Sequence, residues 1–140
     1  MDATFWAKMH GASTHFPIAL VLVSVGLDGA GFATAGRPVA RELQAVGYWT
    51  MLLGAIGSIG AVASGLLMTK GSVLGHDTLR MHHLFVWPAF GLVVALATWR
   101  AFVGRRLTQP MLAGYLVTAV MLAGLMSAAG YYGGEMAIAR

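Results

Sequence analysis

From Leu43 to Thr69, and again from Pro110 to Gly134, no side chain carries a charge. An α-helix rises about 1.5 Å per residue, so either run outreaches the ~30 Å of bilayer hydrocarbon. Backbone polar groups in lipid must be satisfied within the protein, and a helix does so within one segment. Two more apolar runs are interrupted once each, Ser13–Ala35 by Asp28 and Thr78–Trp99 by Arg80. The expectation is one domain over residues 1–140 with spans at about 13–35, 43–69, 78–99 and 110–133. Short loops between them predict an all-α integral membrane four-helix bundle, up-down-up-down.

Composition points the same way. Charged residues make up 10% of the chain, hydrophobic residues 58%, and the mean hydropathy is +0.73. Soluble domains carry about 25% charged residues, so the solvent expected here is lipid. Cysteine is absent, which excludes disulfides, thiolate metal sites, iron–sulfur ligation and cysteine nucleophiles. The net charge of +4 comes from nine Lys/Arg against five Asp/Glu. Those cations lie mostly between apolar runs, as headgroup contacts do, so no nucleic-acid partner is expected.

Local signals set the boundaries. Phe5 and Trp6 read as interfacial anchors, with Lys8 among the headgroups. Pro17 suits a helix's first turn, and an earlier start would kink the helix beside His15. Lys8, an apolar middle and Ala33-Thr34-Ala35 loosely resemble a secretory signal, but Asp2 and Asp28 interrupt the pattern, so a retained span is expected. Gly36-Arg37-Pro38 with Arg41 and Glu42 forms the first loop. Asp77 or Thr78 is the expected N-cap of the third helix, and Thr108-Gln109-Pro110 opens the fourth. Gly54, Gly57, Gly60, Ala61, Ser64 and Gly65 form a small-residue stripe suited to close helix packing in lipid. Asp28 is expected to pair with Arg37 or Arg41, with a proton or quinone contact as the alternative. Loops one and three hold Arg37, Arg41, Arg100, Arg105 and Arg106, against Lys8, Lys70, Arg80 and Arg140 elsewhere. A one-cation excess therefore places loops one and three in the cytoplasm and the termini, with the histidines, on the outer side.

The histidines carry the functional signal. Short loops make helices one and three parallel, so His10, His15, His76, His82 and His83, all the histidines in the chain, share one membrane level. Ionisable residues at such depth mark function, although an isolated interfacial histidine would mean nothing. His10 and His15 diverge by about 140° if both are helical, and His82 and His83 by about 100°. The simplest arrangement sets His15 opposite His83, or His82, with one haem b between helices one and three. His10 and His76 would form a second pair nearer the water, with room for a second haem. Ser13, Thr14, Asp77 and Thr78 are candidate partners for the ligands. Phe16, Phe85, Trp87 and Gly65 could wall the porphyrin, and Arg80 could meet a propionate.

Other chemistry is weaker. Met9-His10 and Met81-His82-His83 place thioethers beside imidazoles, which suits copper, and four histidines suit copper or zinc. Asp28 and Glu135 are too isolated for paired-carboxylate catalysis, and Ser13 near His15 lacks an orienting acid. The chain thus reads as an electron-transfer protein or subunit rather than a stand-alone enzyme, with a cofactor-free structural anchor as the third possibility.

His10, four intervening residues and His15-Phe16-Pro17-Ile18-Ala19-Leu20 resemble the hallmark of an uncharacterised bacterial family of small four-helix membrane proteins. The likeness extends to Asp28 in helix one, Ser64-Gly65 ending helix two, His82 or His83 in helix three, and Gly133-Gly134-Glu135 near the end of helix four. In that family Gly11 is often proline. Some relatives are joined to Rieske-type domains or encoded beside redox proteins. The resemblance implies electron transfer, and the path expected for this chain runs between the quinone pool and an outer-face redox partner, with Tyr131 and Tyr132 either flanking a quinone or serving as interfacial anchors. A homo- or hetero-oligomer fits such a role.

Overall fold

The computed structural model describes residues 3–138, so Asp2 and Arg140 lie outside the described residues. It contains four helices, α1 (Ala3–Ala33), α2 (Pro38–Met68), α3 (Asp77–Val103) and α4 (Gln109–Ile138). All four are long and apolar enough to cross a bilayer, which makes this a multi-pass membrane protein. α1 packs most closely on α2 and α3 on α4. Contacts of α1 with α4 and of α2 with α3 close the ring, leaving α1 and α3 on one diagonal.

The helices overrun the expected spans. α1 starts well before Ser13, so Pro17 lies inside the helix and both His10 and His15 are helical. Pro17 is fully buried against α2, where a Cβ on Gly57 would sit 3.2 Å from its own Cβ. α2 begins at Pro38 as Arg37 turns extended, and so absorbs Arg41 and Glu42. The N-cap of α3 is His76 rather than Asp77 or Thr78, and no side chain caps it. α3 runs on to Gly104, whose φ of 89° ends the helix in a conformation that glycine adopts without strain.

The core is apolar, built on Val21, Met51, Val93, Leu112 and Leu122, yet it takes in polar groups while large apolar side chains face outward. Ser24, Asp28, Gln44, Ser58, Ser64, His83 and Arg100 are buried, while Ile56, Phe102 and Val117 face outward. The two hairpins repeat this pattern in register. Pro17, Val21, Ser24 and Asp28 of α1 correspond to Ala89, Val93, Leu96 and Arg100 of α3, all buried. Gln44, Gly47, Met51, Gly54, Ser58 and Ala61 of α2 correspond likewise to Leu112, Tyr115, Ala119, Leu122, Met126 and Ala129 of α4. Glycine at positions 47 and 54 lets α1 approach α2, since a Cβ on Gly54 would come 2.8 Å from Val21 Cγ2. Tyr115 and Leu122 fill the matching places and hold α3 further from α4. Gly60, expected in the packing stripe, faces open space.

One ion pair crosses the diagonal. Arg100 Nη1 donates to Asp28 Oδ2 at 3.0 Å, and neither side chain is exposed. Arg100 Nη2 donates to the Gln44 carbonyl at 3.1 Å, and Gln44 Oε1 accepts from Leu107 N at 3.2 Å. The guanidinium also lies 4.8 Å from the Tyr115 ring centroid, a cation–π contact. Asp28 therefore pairs with neither Arg37 nor Arg41, which are both exposed. The low-dielectric interior favours a partner inside the bundle over one at its surface. With Arg100 drawn inside, the one-cation excess that oriented the chain disappears.

Replacing one partner alone strands a buried charge, which costs about 3–5 kcal/mol. Arg100→Met should therefore lower the unfolding midpoint in detergent sharply. The double variant Asp28→Asn with Arg100→Met should recover most of that loss.

Candidate functional site

At the end of the bundle where α1 and α3 begin, two imidazoles are held in the same way. His10 Nδ1 lies 3.0 Å from the Ala61 carbonyl and 3.2 Å from Ser64 Oγ. His82 Nδ1 lies 2.8 Å from the Ala129 carbonyl. A carbonyl can only accept, so each ring donates through Nδ1–H, and in its neutral form keeps a lone pair on Nε2. The accepting carbonyl belongs to the partner helix of the same hairpin, one turn before a glycine. A Cβ on Gly65 would sit 3.0 Å from His10 Cε1, and one on Gly133 would sit 3.4 Å from His82 Cε1. Small residues on α2 and α4 thus make room for the rings, and the backbone there orients them. Ser13 extends the network, its Oγ lying 3.4 Å from Ser64 Oγ.

The two rings meet across the diagonal with centroids 6.4 Å apart and planes at 89°. A metal about 2.0 Å from one nitrogen of each ring, on a straight line between them, puts the centroids about 6.3 Å apart. Backbone carbonyls on the other nitrogens are the usual support for ligating histidines. The centroid separation therefore leaves room for a metal held by one nitrogen each of His10 and His82. They border a cavity of about 450 Å³ to which all four helices contribute, a volume in the range of cofactor pockets. Among the described residues no three His, Asp or Glu side chains converge as a metal-binding group. Two imidazoles fall short of the four ligands of a tetrahedral zinc site, and a metal of higher coordination number would draw its remaining ligands from outside these side chains.

The expected pairings are not the ones brought together. His15 is exposed at the edge of the cavity, and His76 is exposed at the start of α3. His83 is only 7% exposed, and its Nδ1 has no hydrogen-bond partner. Its ring lies 5.9 Å from His82 and 6.1 Å from Trp87. The reason is rotational. With α1 beginning at Ala3, His10 joins the inward face of Pro17, Val21, Ser24 and Asp28, and His15 turns about 140° away. His82 bears the same relation to Ala89, Val93, Leu96 and Arg100.

The expected surroundings divide in the same way. Gly65 and Trp87 border the cavity, and Trp87 also donates Nε1–H to the Val73 carbonyl at 2.7 Å. Phe16 is 62% exposed, and Phe85 stacks on Tyr132 at 5.6 Å instead. Of the expected supporting residues, Ser13 joins the His10 network, and Thr14 borders the cavity while donating to the Gly11 carbonyl. Asp77, Thr78 and Arg80 are exposed. The orienting residues Ala61, Ser64, Ala129 and Gly133 are additional to those read from the sequence as the ligands' partners. The visible signal for them was the shared spacing Ala-x-x-x-Gly late in α2 and α4.

The contacts predict an asymmetry between two matched variants. Gly65→Ala crowds the His10 ring and should displace it from Ala61, whereas Gly133→Ala meets His82 at ordinary contact distance. Side-chain ¹⁵N spectra should show the Nδ1–H form for both rings in the parent protein, and its loss at His10 alone in Gly65→Ala.

A family model described as a predicted membrane protein, DUF2231, matches residues 7–140 and so spans both histidine-bearing helices. Comparison with curated proteins and with solved structures gave no match. On a match that covers nearly its whole length, the chain belongs to the DUF2231 family.

Proposed function

We propose that this protein is a membrane b-type cytochrome that holds one haem b between His10 of α1 and His82 of α3. The observation that carries the reading is the opposition of two imidazoles at 6.4 Å, each tied through Nδ1 to a backbone carbonyl. A histidine so tied is held in one tautomer and one orientation, with Nε2 left to ligate. Bound haem would supply one-electron iron chemistry, with a potential set by the histidines that hold it and by its burial. The chain's own contribution is positional. Ala61 and Ala129 aim the rings, and Gly65 and Gly133 leave space for them.

Electrons would pass between the quinone pool and a redox partner docked at the membrane face where α1 and α3 begin. The resemblance to proteins joined to or encoded beside Rieske-type domains supports a partner of that class. A second haem on His10 and His76 finds no support, because His10 is engaged with His82 and His76 points outward. Zinc would need further protein ligands beside that pair, whereas two-coordinate Cu(I) would not, and metal analysis of the purified protein separates copper from haem iron.

Protein purified with haem should show a Soret band and the spectrum of a six-coordinate, low-spin iron. His10→Ala and His82→Ala should each abolish that spectrum, while His15→Ala and His76→Ala should retain it. Absence of a Soret band before and after haem addition would overturn the proposal. So would loss of the six-coordinate spectrum on replacing His15 or His76.

A further inference from the structure

The only charged substituents of haem b are its propionate carboxylates, and a carboxylate taken out of water needs a hydrogen-bond donor. The wall of the cavity has few to offer. Of the polar side chains that border it, Thr14, Ser58, Thr69 and Trp87 already donate to the Gly11, Gly54, Gly65 and Val73 carbonyls. His10 and His82 are tied through Nδ1. Two remain, His15, which is exposed at the edge, and His83, which is buried. Arg80, the donor expected from the sequence, is exposed and does not border the cavity. Among the described residues the His83 ring has no hydrogen-bond partner. The two halves of the cavity also differ at this place. His83 follows His82 as Gly11 follows His10, so α1 presents no side chain where α3 presents an unpaired imidazole.

We propose that His83 is the residue that holds a haem propionate in this cavity. The assignment rests on the reading of His10 and His82 as the iron's ligands and adds a protein contact to the same group. His83 donates one imidazole N–H to a carboxylate oxygen, the charge-assisted bond that a desolvated carboxylate requires. It is a second contact and not a second iron ligand, because His82 and His83 diverge by about 100° on the helix. Their ring centroids are 5.9 Å apart. With glycine at the matching position of α1, the buried donor lies on one side only. His83 therefore fixes which way round the macrocycle sits as well as how tightly it is held.

The test uses the full-length protein in detergent with two probes, haem and haem dimethyl ester, whose propionates are esterified and uncharged. Soret titrations give the affinity for each, and the four combinations of probe and variant form a cycle that isolates the contact. The parent protein should prefer haem to its ester. His83→Leu should reduce that preference about tenfold, the scale of a hydrogen bond to a charged group, by weakening haem alone. His83→Phe, which keeps a ring but no donor, should behave as His83→Leu does. His83→Gln, which keeps an N–H, should recover part of the preference, and His15→Leu should keep all of it. The six-coordinate, low-spin spectrum should persist in every variant. An unchanged preference in His83→Leu and His83→Phe, with that spectrum intact, overturns the propionate contact and leaves the cytochrome reading standing. Loss of the six-coordinate spectrum in those variants overturns it too, because His83 would then ligate the iron. Loss of the preference in His15→Leu instead puts the propionate at the rim and also overturns it. A parent protein with no Soret band sinks both readings, an outcome set apart by the missing spectrum.

Discussion

The buried pair of Arg100 and Asp28 sets the rotation of the two diagonal helices. A charge with no exposure to water has to find its partner inside the bundle, and the hydrogen bond at 3.0 Å satisfies that requirement across the diagonal. Once Asp28 and Arg100 face each other, every inward position of α1 and α3 follows at helical spacing. His10 precedes Asp28 by as many residues as His82 precedes Arg100. The clamp near one membrane face therefore directs the two imidazoles at each other near the opposite face. Residues about five turns apart are coupled only by the stiffness of the helices between them.

The two hairpins solve one geometric problem with different side chains. In each, the outer helix of the pair offers a carbonyl to Nδ1 and a glycine one turn later to the ring. α2 adds glycines at positions 47 and 54 and comes close to α1, while α4 carries Tyr115 and Leu122 there and stands further off. That difference matters at the polar end, since Tyr115 occupies the space above the Arg100 guanidinium. It matters less at the histidine end, where Gly65 and Gly133 restore the likeness. The cavity opens where both hairpins are slim, bordered by glycine and alanine on α2 and α4. Both hydrogen-bonded rings meet there.

Much of this was legible in the chain. Four spans, short loops and a histidine-rich end follow from hydropathy and spacing, because lipid forces helices and helices of that length must cross. The partners within that end were not legible. Choosing between His10 and His15 needs to know which face of α1 points inward, and that face is set by Asp28 and its partner in another hairpin rather than by anything beside the histidines. Arg100 looked like a loop cation because it follows Trp99 at the end of an apolar run. Its partner Asp28 lies in another hairpin, and nothing local to either residue announces the other. The orienting carbonyls of Ala61 and Ala129 are invisible in principle, since every residue has one.

The sequence by itself determined that the chain crosses the bilayer four times and that its histidines collect at one end. Those are consequences of one-dimensional pattern, the length of uncharged runs and the parity of crossings. The tertiary structure alone decided that His10 meets His82, that His83 is left buried and unpartnered, and that Asp28 is matched by Arg100. Those depend on helix rotation, which a buried ion pair and glycine contacts between distant segments set. A turn of 100° per residue makes each such choice all-or-none.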